Sequence, residues 1–259
     1  MMKILISPAK TMKGAAPFRE PLGEPLFQKE AEFLAGRAEA LTFEEARRLW
    51  KCSDALAREN LARFQAWKES PRSAALFSFD GIQFRHIGAK TLGGKALSYL
   101  EGHLLLFSGL YGLLRPLDGI APYRLDIGDR LAAGEAKNLY AFWGRKLYEQ
   151  IEGHAVLNLA SAEYSRAVTP YLAEGTRFIT VDFLTRKDGA LRQQSTYAKM
   201  GRGEMVRFLA EREAPCPEEA KSFTALGFSF CSAASSEDHY VFCREGEAVE
   251  RVSGKCQSL

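Results

Sequence analysis

Leu104–Phe107 is a run of four consecutive apolar residues stopped by Ser108-Gly109. So short and unbroken a run, bounded by turn residues, fits a strand buried on both faces, and such a strand belongs in a sheet covered by helices. The stretch after it, 109–125, is unlike ordinary connection. Gly109, Gly112 and Gly119 allow close approach of backbone, while Pro116 and Pro122 fix φ. Around them stand Ser108, Tyr111, Arg115, Asp118, Tyr123 and Arg124, which supply hydroxyls, guanidinium groups and one carboxylate. Open α/β sheets place ligands beyond the carboxyl ends of their strands, where a loop of this kind would sit. At this point the plainer alternative, that these residues only close a long connection, is equally open.

The rest of the chain repeats the alternation. Met2–Ile6 reads as a first strand. Residues 25–36, 42–49 and 54–68 carry apolar positions at helical spacing, and Thr42-x-x-Glu45 has the form of a capping box. Residues 74–79 read as a strand, 87–100 as a glycine-broken helix start, 137–151 as a helix and 155–159 as a buried strand. Ser161 is placed to cap a helix over 161–172. Strands 177–183 and 190–195 flank a Lys187-Asp188-Gly189 turn, helices follow at 199–212 and 218–225, and 227–231 with 240–244 form a last antiparallel pair. The expectation is α/β: a single domain over residues 1–259, with a mixed sheet flanked by helices and ending in antiparallel hairpins.

Several function classes are disfavoured. No window approaches the eighteen or so apolar residues of a membrane span, and Pro8 and Lys10 interrupt any leader-like run, so no membrane partner and a cytoplasmic address are expected. Cys52, Cys216, Cys231, Cys243 and Cys256 contain no C-x-x-C pair. A C-terminal hairpin would bring Cys231 and Cys243 face to face. A redox pair there is one reading, and two packed, unreactive thiols are the commoner one. His86, His103, His154 and His239 stand singly, so no metal site is expected. No G-x-S-x-G elbow, Walker loop, G-x-G-x-x-G or H-E-x-x-H occurs, so neither a cofactor nor a reaction class is indicated.

Net charge is only +3, but it is unevenly spread. Between residues 186 and 207, Arg186, Lys187, Arg192, Lys199, Arg202 and Arg207 face only Asp188 and Glu204, and Lys3, Lys10 and Lys13 open the chain. Residues 20–45 are acidic. One positive and one negative face would follow.

Three motifs share one geometry, the end of a strand entering a turn: Ser7–Thr11, Ser108–Gly112 and Asn158–Ser161. Parallel neighbours would bring these ends together as a cleft lined by Ser7, Lys10, Ser108, Tyr111, Arg115, Asn158, Ser161 and Tyr164. Lys199 and Arg202, three apart on one helix face, would close it. Such a set suits a phosphate-rich ligand, with Asp118 and Glu163 as balancing carboxylates and Tyr111, Tyr123 and Tyr164 available to stack on bases. A Ser7–Lys10 nucleophile and amine base is also conceivable, with Ser108, Tyr111 and Asp118 as further catalytic candidates.

The wording itself is distinctive. MKILISPAKTM at 2–12, the loop at 105–125, LYAFWG at 139–144, NLASAEY at 158–164 and AKMGRGEM at 198–205 resemble, in order and over essentially the whole chain, the YaaA family of bacterial peroxide-stress proteins. Residues 84–100 and 231–259 depart from the family wording. The resemblance implies a cytoplasmic protein of hydrogen peroxide stress that limits free iron and binds double-stranded or distorted DNA. Lys10, Arg115, Arg124, Lys199, Arg202 and Arg207 would then contact the DNA backbone without reading sequence, beside Asn158, Ser161 and Tyr164. The alternative is an enzyme acting on a nucleotide, nucleobase or nucleic-acid end in the same cleft. Direct iron sequestration finds no grouped ligands in the sequence.

Overall fold

The structure, a computed structural model, describes residues 2–12 and 19–246; Lys13 and Cys256 lie outside the described residues. The main sheet is built from Met2–Ile6 (β1), Leu104–Ser108 (β2), Gly112–Leu114 (β3), Ala155–Asn158 (β4), Phe178–Lys187 (β5), Ala190–Arg192 (β6), Ser229–Phe230 (β7) and His239–Glu245 (β8). Its order is β7-β8-β5-β4-β1-β2-β3, with β6 paired to β5. Strands β8, β5, β4, β1 and β2 run parallel, and β3, β6 and β7 are antiparallel to their neighbours. This is the expected mixed α/β sheet with antiparallel hairpins toward the end of the chain.

Burial follows from that topology. Residues of β1, β2 and β4 are almost all buried because both faces of the central sheet are covered, which is why these strands read as continuous apolar runs. Helices Gln28–Glu39, Phe43–Trp50 and Asp54–Gln65 lie in the amino-terminal half, and Thr42 and Glu45 form the full capping box, each side chain bonded to the other's backbone N–H. No helix among the described residues is long and apolar enough to cross a membrane.

Several elements differ from the sequence expectation. The helix expected at 137–151 is two short pieces, Leu139–Trp143 and Lys146–Glu149, parted at Gly144 with φ of 49°. That expected at 161–172 is the single turn Ala162–Ser165 followed by a 3-10 turn at Thr169–Tyr171, where Pro170 cannot supply a helical N–H. Residues 217–222 are likewise 3-10 rather than α. Residues 74–79 split into two-residue strands around the helical turn Ala75–Ser78. The region 82–103 holds two helices, Ile82–Ile87 and Gly94–His103, joined by a 3-10 turn. The last long helix, Ser195–Glu211, begins four residues earlier than its apolar spacing suggests and shortens the strand before it.

Candidate functional site

Because β4, β1 and β2 are parallel neighbours, their carboxyl ends lie side by side. Ser7 follows β1, Ser161 follows β4, and the two are tied directly: the Ser161 backbone N–H donates to Ser7 Oγ at 2.9 Å, and Ser7 Oγ–H donates to Ser161 Oγ at 3.2 Å. Gln83 Nε2 donates to the Ser7 carbonyl at 3.2 Å. Ser161 therefore does not cap its helical turn with its side chain. Its hydroxyl is spent on joining the two strand ends.

Over these ends open two adjoining cavities of about 480 and 590 Å³. Ser161, Lys199 and Arg202 line both. The first also takes in Ser7, Lys10, Gln83, Asp126, Glu163 and Tyr164, and the second takes in Asn158, Thr180, Asp182 and Gln193.

The Ser195–Glu211 helix brings Lys199 and Arg202 here, and two glycines explain how. A Cβ at Gly201 would stand 2.5 Å from the Phe183 ring on β5, and one at Gly203 would stand 2.3 Å from the Gln83 carbonyl oxygen. Only glycine lets the helix press against the sheet on one side and against Ile82–Ile87 on the other. His86 Nδ1 to Glu204 Oε1, at 2.7 Å, fastens the second contact. Arg202, between the two glycines, is left only 8% exposed. Its Nε has no acceptor, and the side chain makes no hydrogen bond or ion pair among the described residues. Burial lowers its pKa, against the opposing pull of the Asp182 carboxylate. Among the described residues nothing pairs with it, and a buried guanidinium left so is costly; an anion is the kind of group that would offset that cost.

Asp126, in the lining of the first cavity, is already matched. Asp126 lies 3.5 Å from Lys10 Nζ and 3.5 Å from Arg124 Nη2, and it accepts from the Tyr164 hydroxyl at 3.2 Å. Burial, with Asp126 alongside, holds the Tyr164 phenol far above its ordinary range, so it stays protonated and donates. Asp129, whose Oδ2 accepts from the Asp126 backbone N–H in the same turn, is pushed up to about 6 by burial.

Other expected site residues are elsewhere. Strand β3 runs back along β2, Leu114 pairing with Leu106, so Arg115 and Asp118 lie toward the opposite edge of the sheet from Ser7. Arg115 is bound there to Asp118, which is 1% exposed, and to the Glu24 carbonyl. Ser108 is buried and hydrogen-bonded to the Tyr123 hydroxyl at 2.7 Å, while the Tyr111 hydroxyl accepts from the Ala121 backbone and from Arg72. Burial pushes Tyr111 up to about 12. These groups brace the 109–125 loop, within itself and to Glu24 and Arg72, and do not line the two cavities. Asn158 does line the second cavity, but its Oδ1 accepts the Ala160 N–H. Arg207 holds Thr91 Oγ1 at 2.9 Å and Glu211 at 2.7 Å, away from the cleft. Lys10 pairs with Asp126, and the Ser7 hydroxyl is bonded to Ser161 rather than to Lys10.

Asp126, Gln83, Thr180 and Asp182 join the site without having been singled out in the sequence. Asp126 and Asp129 had one usable signal, an Asx-type spacing directly after Tyr123-Arg124. The other three carried none. In the carboxyl-terminal hairpin Cys243 pairs with Ser229 and sits diagonal to Cys231; burial and that neighbour push its thiol up to about 11. A thiol so raised is a poor nucleophile. Among the described residues no group of three or more His, Cys, Asp or Glu is placed to hold a metal ion.

Residues 2–234 match the family described as "Peroxide stress protein YaaA". The chain belongs to the YaaA family. Relatives in that family carry the name UPF0246 protein. The one from Limosilactobacillus fermentum is 43% identical over 250 residues, covering 94% of this chain and all of the relative. Those from Lactiplantibacillus plantarum and Lachnoclostridium phytofermentans are 39% and 38% identical, covering 93% and 96% of this chain and 98% and 99% of theirs. The YaaA family name supports a peroxide stress function, and three of the five segments whose wording resembles the family's, 2–12, 158–164 and 198–205, contribute residues to the two cavities.

Proposed function

We propose that this YaaA-family chain serves in peroxide stress by binding DNA in the cleft, largely without regard to sequence, and so limits damage linked to intracellular iron. The observation that carries the reading is Arg202, a nearly buried guanidinium with no hydrogen bond or ion pair among the described residues, beside exposed Lys199 at the junction of two cavities. A backbone phosphate would complete it by charge-assisted bonds. Lys10, mostly exposed on the rim, adds a further contact. That Arg202 is only 8% exposed favours distorted DNA over intact duplex, since an unstacked nucleotide can reach a recessed group that a regular backbone cannot. With no grouped metal ligands among the described residues, the effect on iron is an indirect one.

A second reading, an enzyme acting on a nucleotide or nucleic-acid end, is favoured by one observation: the first cavity is also lined by Asp126 and the Tyr164 hydroxyl bonded to it, which backbone clamping does not need. The two are separated by measuring DNA affinity against salt and screening the same protein for nucleotide turnover. The DNA reading expects affinity to fall linearly in log–log form, with a slope near −0.9 per phosphate neutralised. Binding insensitive to salt, or turnover without DNA binding, contradicts it.

A further inference from the structure

We propose that the cleft receives a single guanine nucleotide unit, its phosphate against Arg202 and Lys199 and the N1–H and N2–H edge of its base against the Glu163 carboxylate. The proposal rests on the nucleic-acid reading of the cleft and adds which nucleotide it holds.

Some charges are left over once the protein's own pairs are made. Around the 480 Å³ cavity, Lys10 is matched by Asp126, and Asp80 by Arg85 at 3.1 Å. Three charged groups lining the same cavity have no ion pair among the described residues: the cations Lys199 and Arg202, and the carboxylate of Glu163. A plain phosphate would use the cations and be repelled by the carboxylate. An organic cation would do the reverse. A ligand that satisfies all three carries an anionic group at one end and N–H donors at the other, as a nucleoside phosphate does.

The carboxylate narrows the base. An ionised carboxylate only accepts, and it binds best where two donors stand side by side. Guanine presents N1–H and N2–H in that arrangement. Adenine and cytosine each set one amino group beside an acceptor, and thymine and uracil offer a single N–H. Glu163 gains two donors side by side only with guanine; the other bases set a lone pair beside their single donor, which adds discrimination by repulsion. Pro8, Phe84 and Tyr164 give the cavity an apolar wall for the flat ring, and its volume is within the range of small-ligand sites. The same chemistry is offered by a free guanine mononucleotide and by a guanine extruded from DNA.

The test is titration calorimetry of the full chain with GMP, IMP, AMP and UMP, repeated on Glu163→Gln and Arg202→Met. Glu163 is exposed, so its variant is expected to keep the wild-type melting temperature. GMP should bind tightest, with IMP, which lacks N2–H, about tenfold weaker. Glu163→Gln should erase that difference and Arg202→Met should weaken every nucleotide. A duplex carrying guanine opposite an abasic site, compared with adenine there, distinguishes the sources: a guanine preference in DNA assigns the extruded base, and preference among mononucleotides alone assigns the free nucleotide. Equal affinity for GMP and UMP, or an unchanged order in Glu163→Gln, overturns the proposal. Loss of all base preference with salt-dependent DNA binding intact overturns it and leaves the DNA reading standing; no binding of DNA either removes both.

Discussion

Ser7 and Ser161, 154 positions apart, share two hydrogen bonds, and through them the carboxyl ends of two neighbouring strands are held as one surface. The floor of the cleft is thus a structural joint. It is made by hydroxyls that a motif-based reading would assign to catalysis.

Replacing Ser7 by Ala leaves the part-buried Ser161 N–H without its acceptor. The expected cost is about 1–2 kcal/mol, or a melting temperature lower by about 2–8 °C in a chain of this size. Thermal unfolding followed by circular dichroism checks it. An unchanged melting temperature would show that the joint contributes nothing.

The glycines of the Ser195–Glu211 helix are spacing elements. Gly203→Ala drives a methyl group into the Gln83 carbonyl and is expected to destabilise by about 1–3 kcal/mol. Gly36→Ala, in the Gln28–Glu39 helix with nothing within 4 Å, is expected to stabilise by about 0.5–1 kcal/mol. Denaturant midpoints of the two variants should therefore move in opposite directions, and movement in the same direction contradicts the packing account.

Much of this was legible in the sequence, and the parts that were not share a cause. The apolar runs at 2–6, 104–107 and 155–159 announced central strands, because burial on both faces leaves no polar alternation, and the common edge of their ends followed. Arg115 misled because its position depends on the reversal at 109–111, which sends the chain back down the sheet. Periodicity does not register such a turn. Gly201 and Gly203 look like weak points of a helix until the ring of Phe183 and the carbonyl of Gln83 are seen against them. Short helical pieces such as Ala162–Ser165 are set by tertiary contacts that leave little trace in local spacing.

Arg115 is a brace for the 115–118 turn. Arg115→Ala would leave the Asp118 carboxylate buried and uncompensated, at about 3 kcal/mol, with DNA affinity unaltered. Melting temperature and anisotropy on the same preparation read both. Lost affinity with unchanged stability would return Arg115 to the binding surface.

Asp129 gives the fold a pH dependence whose sign is fixed. Its folded pKa, about 6, lies above the ordinary aspartate value near 3.9, so the native state holds the proton more tightly than the unfolded chain. Stability from this group is greatest below about pH 4, falls between pH 4 and 6, and is level above. Asp129→Asn keeps an acceptor for the Asp126 N–H, so it should remove that slope and stabilise the protein at pH 7 by ~2 kcal/mol. Urea unfolding between pH 4.5 and 8 checks it; a slope that survives the substitution assigns the titration to another group.

The claim on which the functional account turns is that Arg202, buried and without an ion pair among the described residues, is kept so for the sake of an anion. Arg202→Met preserves the length and most of the volume of the side chain and removes the charge, so melting temperature and DNA affinity measured together test it directly. The account predicts a melting temperature equal to or above that of the wild type, because a buried charge without a partner is gone, together with affinity at least about tenfold weaker and a salt slope reduced by about one phosphate. Wild-type affinity in a folded Arg202→Met protein would contradict it.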